Sequence, residues 1–411
     1  MAVPPNDQLG LYVSIPFCRS KCTYCNFASG VFPASDHSRY VQRLTDEMCG
    51  ARHWSENLSL DLPSQVDTIY LGGGTPSLLE PGLIDRLFAA IRTQFTVEPN
   101  AEITVECAPG QLSDPTLAAL AQAGVNRVSL GVQSFIDDEA HQSGRLHNRA
   151  IVLNDLSRLR STGITNINLD LIAGLPGQTF ASWHESVDTL ISTGTPHASI
   201  YMLEVDDESR LGRELLAGGA RYHAGLVPGD DAIARMYEYA IDALTAAGAK
   251  QYEISNFARP GFESRHNLRY WERRPYLGLG LDASSMLRES VADEGQPGYV
   301  LRSTTTADLK AYLEHSQPPE TAWLSRQRQH EEAWFLGLRL NRGVSIPALH
   351  DEFGMETLAR ALESVEQLAC LGLLISEGGT VRLTPQGRLL SNDVFQEFLV
   401  APDHDLHNAL A

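Results

Sequence analysis

The chain has 411 residues, 43% of them hydrophobic and 20% charged, with a formal net charge of −19. That length supports two or three domains with ample core, and the balance is that of a globular chain rather than a disordered one. The acidic excess argues against a broad phosphate-binding surface, so no nucleic-acid partner is expected, and no apolar run is long enough to span a bilayer.

The opening residues Met1–Asp7 carry neither the basic region nor the apolar run of a signal peptide. The expected location is therefore cytoplasmic, with any membrane contact peripheral. From there to about residue 205, β-branched runs alternate with helical stretches. Strands are expected at Leu11–Ile15, Val66–Leu71, Glu102–Glu106, Arg127–Gly131, Asn166–Ile172 and Ser199–Leu203, with helices near 36–53, 81–95, 114–123, 148–161 and 180–192. This alternation implies α/β architecture, a parallel sheet with helices outside it. Six units are too few for a closed eight-stranded barrel, so an open partial (β/α)6 barrel over residues 1–205 is the expectation. Such a sheet places its active residues at the carboxyl ends of the strands.

Residues 206–290 read as an extension: a helix at 230–248, a strand at Gln251–Ser255 and a loop-rich stretch from 256 to 285. The polar segment 291–326, with Pro318-Pro319, reads as a linker. From 327 to 411, helices at 331–339, 346–353 and 356–371 precede a hairpin, Leu373–Ser376 and Val381–Leu383, around Gly378-Gly379. Helices followed by a small hairpin suggest a mainly α, winged-helix-like domain. Glu356, Glu363 and Glu366 on its third helix argue for packing rather than DNA recognition.

The densest chemical signal is Cys18-Arg19-Ser20-Lys21-Cys22-Thr23-Tyr24-Cys25, directly after the first strand. Three thiolates at C-x₃-C-x₂-C spacing can hold three corners of a four-iron cubane and leave the fourth iron open, whereas most clusters use four cysteines. A zinc site is the alternative, but its usual second ligand pair is missing from the chain. Cys49, Cys107 and Cys370 stand singly and read as buried packing residues. Leu71-Gly72-Gly73-Gly74-Thr75-Pro76 follows the second strand; its glycines allow close backbone approach to a ligand, or merely make a tight turn.

These two segments resemble the radical S-adenosylmethionine (SAM) superfamily. That resemblance implies a [4Fe-4S] cluster on Cys18, Cys22 and Cys25, with SAM chelating the open iron and Gly73, Gly74 and Thr75 near its amino group. Asn126–Phe135, Gly144–His147 and Asp170–Gln178 narrow the resemblance to the oxygen-independent coproporphyrinogen III oxidase family. By position, Tyr12, Gly73, Thr75, Glu106, Gln133, Arg145 and Asp170 match family residues around SAM, and Tyr24 is placed to stack beside adenine. Acids and an amide can accept hydrogen bonds from ribose hydroxyls or an amino group, and an arginine fork suits a carboxylate. Glu106-Cys107-Ala108-Pro109 departs from the family's E-x-N-P, with Ala108 in place of asparagine.

Within the family, the decarboxylases carry an extra cysteine where this chain has Phe27. The heme-chaperone branch has phenylalanine there and an H-N-x-x-Y-W motif, present as His266-Asn267-Leu268-Arg269-Tyr270-Trp271. The resemblance thus implies a carrier that binds heme, with His266 as candidate axial ligand, and passes it to hemoproteins such as respiratory-chain components. The runner-up is the oxidative decarboxylase. The carrier is expected to act as a monomer or a homodimer.

Overall fold

The computed structural model describes residues 8–290 and 298–399. Part of the expected linker and the two ends, including the residues read for a leader, lie outside them. The strands in chain order are β1 (Leu9–Ile15), β2 (Leu60–Asp61), β3 (Gln65–Gly73), β4 (Thr96–Cys107), β5 (Arg127–Gln133), β6 (Asn166–Ala173), β7 (His197–Met202), β8 (Lys250–Gln251), β9 (Asn256–Ala258), β10 (Tyr276–Leu279), β11 (Ser284–Glu289), β12 (Val300–Thr304), β13 (Glu320–Leu324), β14 (Val344–Ser345), β15 (Leu374–Glu377) and β16 (Thr380–Leu383).

The main sheet runs β13-β12-β11-β10-β1-β3-β4-β5-β6-β7-β9-β8, with β2 paired to β11. The six expected strands are all present, neighbouring and parallel. The sheet remains open, flanked by antiparallel strands at both edges. Leu9, Leu11, Val13 and Ile15 on one face of β1 are each 0% exposed, and Gly10 and Ser14 on the other face are buried too, as a strand covered on both faces requires. The helix Ala34–Asn57 buries Tyr40, Val41, Leu44, Met48 and Ala51 on one stripe against the sheet. Cys49 lies off that stripe and Cys370 off the corresponding stripe of Met355–Cys370. Both are exposed, contrary to the packing role expected of them.

The remaining corrections concern the region after β7. Tyr252–Ser255 is a turn rather than a strand, because the Glu253 carboxylate accepts from the backbone N–H of Ser255 and the side chain of Asn256. The stretch read as loop contains the helix Arg265–Trp271, N-capped by Ser264, and β10, a seventh parallel strand beside β1. The stretch read as linker contributes β12, the helix Leu309–Glu314 and β13 to the sheet. Four- and five-residue strands carry too little periodicity to be seen in sequence.

The C-terminal unit has the expected plan. The helices Arg326–Leu338, Ile346–Phe353 and Met355–Cys370 precede the β15–β16 hairpin, with β14 on its edge. Its core gathers Trp334, Leu358, Val365 and Val381, and takes in Ile254 from the barrel side. Two backbone bonds (Ile254 N–H to Arg339 O, Asn341 N–H to Tyr252 O) and a two-pronged Arg273–Glu352 ion pair fasten the units together.

Candidate functional site

At the carboxyl ends of the parallel strands lies a cavity of about 1030 Å³. Cys18, Cys22, Tyr24, Cys25, Gly73, Gly74, Thr75, Glu106, Gln133, Arg145 and Asp170 all line it. Residues expected from six separate stretches of sequence therefore share one chamber. Tyr12 and His266 do not line it.

The cysteine loop is fixed mainly through its backbone. Cys18 N–H donates to Gly30 O at 2.8 Å, Thr23 N–H to Ser143 O at 3.0 Å, and Lys21 Nζ to the carbonyls of Phe27 and Ser29. Asn26 Nδ2 donates to Asp206 Oδ2 at 3.0 Å, and Leu211 N–H to Thr23 O at 2.9 Å, so the segment after β7 straps the loop in place. Each of the three thiols is half-buried. Burial pushes the Cys18 thiol up, and the hydroxyls of Thr75 and Ser29 oppose that shift. The three sulfurs do not converge as ligands of one ion; among the described residues no group of three such side chains does. Three soft donors spread over one wall match separate corners of a cubane.

The glycine run serves the loop as much as a ligand. A Cβ on Gly74 would lie 2.7 Å from Ile15 O and 2.9 Å from Phe17 O, and Gly73 adopts φ +92°. Both positions thus require glycine for the close approach of β3's end to β1's end. Thr75 N–H donates to Phe17 O at 2.8 Å, which completes that junction beside Cys18.

The same chamber is lined by two acids and an arginine. Tyr70 Oη donates to Glu106 Oε1 at 2.8 Å, and burial, reinforced by nearby Asp170, pushes the Glu106 carboxyl up to about 7. Asp170 accepts from Ser129 Oγ at 3.1 Å and Asn168 Nδ2 at 2.7 Å, while burial raises its carboxyl as well. Burial disfavours the Arg145 cation, but Tyr24, Cys22 and Asp170 around it prevail and keep it charged. Gly131 makes room for it: a Cβ there would sit 2.6 Å from Arg145 Nη2. Gln133 ends β5 on a bulge at φ +69°, and its Oε1 is buried with no hydrogen-bond partner. A strained non-glycine residue with an orphaned acceptor at a strand end is the mark of a ligand site. Two acids suit a ligand's ammonium or hydroxyls, and the arginine suits a carboxylate. This donor set fits SAM.

Two expected site residues lie outside the lining, and only His266 is set apart from the chamber. Tyr12 stacks its ring on Tyr70 at 6.2 Å, and a Cβ on Gly73 would lie 3.5 Å from its hydroxyl, so it stands beside the glycine run without lining the chamber. His266 is 0% exposed on the floor of the barrel, and both ring nitrogens are engaged, Nδ1 with Thr68 Oγ1 at 2.9 Å and Nε2 with Tyr270 Oη at 2.8 Å. Burial and neighbouring Arg269 lower its pKa to about 3, so it is a neutral, fully bonded core histidine with no nitrogen free for iron. Its ring stacks on Tyr70 at 5.3 Å, so the motif supports the residue that orients Glu106. Cys107 is buried as expected, and burial pushes its thiol up to about 12. Tyr70, Ser129 and Asn168 were missed by sequence reasoning. The signal for Tyr70 was the period of two along β3, which puts it on the same face as Gly72.

The profile of the radical SAM superfamily matches residues 12–190, and that of the HemN C-terminal domain matches residues 324–390. The heme chaperone HemW of Lactococcus lactis is 34% identical, covering 97% of this chain and 99% of its own length. HemW of Bacillus subtilis is also 34% identical, over 94% of this chain and 98% of its own. The solved structure of coproporphyrinogen III oxidase (HemN) from Escherichia coli, a radical SAM enzyme, superposes with a TM-score of 0.79 at 24% identity, over 97% of this chain and 91% of that one. That last likeness bears on the fold alone. The cysteine loop, the strand-end acids and the full-length similarity converge: the chain belongs to the HemW family of the radical SAM superfamily.

Proposed function

We propose that this protein is a heme chaperone built on a radical SAM core: it binds heme and delivers it to hemoproteins, respiratory-chain components among them. The carrying observation is that Cys18, Cys22 and Cys25 share one chamber with Glu106, Gln133, Arg145 and Asp170. In this reading the three cysteines hold a [4Fe-4S] cluster, and the strand-end residues position SAM. When bound, the cluster supplies an electron and an open iron corner for the amino and carboxylate groups of SAM. The chain's own part is to orient the ligand, through Glu106 and Asp170 on its hydroxyls and ammonium and Arg145 on its carboxylate.

Decarboxylation is disfavoured by Phe27, which lines the chamber 62% exposed where the decarboxylases carry their extra cysteine. A phenyl ring supplies neither a thiol nor a proton. No helix among the described residues is long and apolar enough to cross a membrane. The test is an anaerobic titration of heme into cluster-reconstituted protein, followed by absorbance, alongside an assay of coproporphyrinogen III consumption. Saturable heme binding without turnover is expected. Turnover without saturable binding would reverse the assignment.

A further inference from the structure

At about 1030 Å³ the chamber stands at the top of the range for sites of single small ligands, about 300 to 1,000 Å³. Its two ends differ in chemistry. The end near the cysteines holds Lys21 and Arg145 with Glu106 and Asp170. The far end is walled by Tyr237, Ile254 and Ser255 and by the C-terminal unit, through Arg339 and the segment Leu389–Asp393. Between them, Ile172, Ile200, Met202 and Leu203, from and beyond the ends of β6 and β7, give an apolar wall.

Arg339 is the one cation lining that far end among the described residues. Its guanidinium lies over the Trp271 ring at 4.3 Å and 3.8 Å from Glu253 Oε2. Its Nε is buried without a hydrogen-bond partner, and so is Glu253 Oε2. The arginine is held in place by an aromatic face and a distant acid, with donor capacity unspent. The carboxylates also lining the chamber are Glu204 and Asp206, on the strap beside the cysteine loop, and Asp393 on the C-terminal segment. An apolar wall ending in an underused guanidinium selects a flat apolar molecule that bears a carboxylate at its edge.

We propose that the far end is the seat of the heme cargo, with Arg339 pairing one of its carboxylates and Leu389–Asp393 closing over its edge. This rests on the heme-chaperone reading and moves the cargo from the His266 motif into the chamber. It also gives the C-terminal unit a task, because the site is incomplete without it. The motif still takes part, through Trp271, which is the platform under Arg339.

The experiment compares heme with heme dimethyl ester, whose carboxylates are masked, on cluster-reconstituted full-length protein. Arg339→Gln is expected to weaken heme binding roughly tenfold while leaving the affinity for the ester unchanged. Because that change leaves Glu253 alone in the interior, Leu390→Glu is the companion variant. Leu390 is 42% exposed on the chamber's rim and belongs to no ion pair, so the added charge should repel the free acid and spare the ester. Equal heme affinity in wild type and both variants would overturn the assignment of the seat while the carrier reading stands. No saturable binding by wild type would overturn both.

Discussion

Replacing Cys22 with alanine is expected to abolish cluster assembly: reconstituted protein should lose its bound iron, sulfide and brown absorbance, with far-ultraviolet circular dichroism unchanged. Cys22 is half-buried on a loop held by backbone bonds from Cys18, Thr23 and Leu211, none of which uses its sulfur. Truncating such a side chain costs about 0.5 kcal/mol or less in stability. The chemistry, by contrast, has no reserve, because two thiolates cannot hold three corners. The other thiol along the chamber, Cys107, is only 4% exposed and comes from the end of β4 rather than from the cysteine loop, so it is not placed to take Cys22's corner. Cys107→Ala should accordingly keep full iron. Full iron and sulfide in Cys22→Ala would remove the cysteine from the ligand set.

The second large effect is expected at Asp67, on β3, whose side chain is 2% exposed. It pairs with Arg269 of the H-N-x-x-Y-W motif, itself 0% exposed, with Arg274 at 3.1 Å and with Arg265 at 3.5 Å. Arg269 also donates to Gln8 O, Pro275 O and Thr68 Oγ1, tying the helix Arg265–Trp271 beneath β1 and β3. Burying two charges is expensive, so the pair adds little beyond an apolar substitute. Removing one partner is another matter, since it strands a guanidinium in the interior. Asp67→Asn should therefore lower stability by about 3–5 kcal/mol. A urea midpoint is the measurement, and Asp67→Asn combined with Arg269→Met should recover part of the loss. A midpoint within error of wild type would refute the view that the motif is the barrel's floor.

That motif shows where sequence reasoning stops. The six parallel strands were legible because each is a run of six or more residues, buried on both faces and followed by its helix. Site residues were legible because they stand at strand ends, and the cysteine spacing needed no structure at all. What sequence could not show is direction and depth. His266 and the two aromatics after it offer imidazole and flat faces, which on paper suit a porphyrin. In the fold Thr68 and Tyr70 of β3, far away in sequence, engage or cover them. Tyr12 stands beside Gly73 and Tyr70, next to the chamber without lining it. Arg339 was invisible because its role comes from contact between two units, with Trp271 and Glu253 on one and Leu389–Asp393 on the other. The short strands β10, β12 and β13 are set by pairing partners, and local pattern carries little of that.

The central claim is that the three-cysteine loop leaves an iron corner open to SAM in the chamber lined by Glu106, Gln133, Arg145 and Asp170. Electron paramagnetic resonance of the reduced, reconstituted protein with and without SAM tests it most directly. The account predicts that saturating SAM changes the spectrum of the cluster, because the ligand joins one iron. An identical spectrum with and without SAM, at full iron and sulfide content, would contradict it.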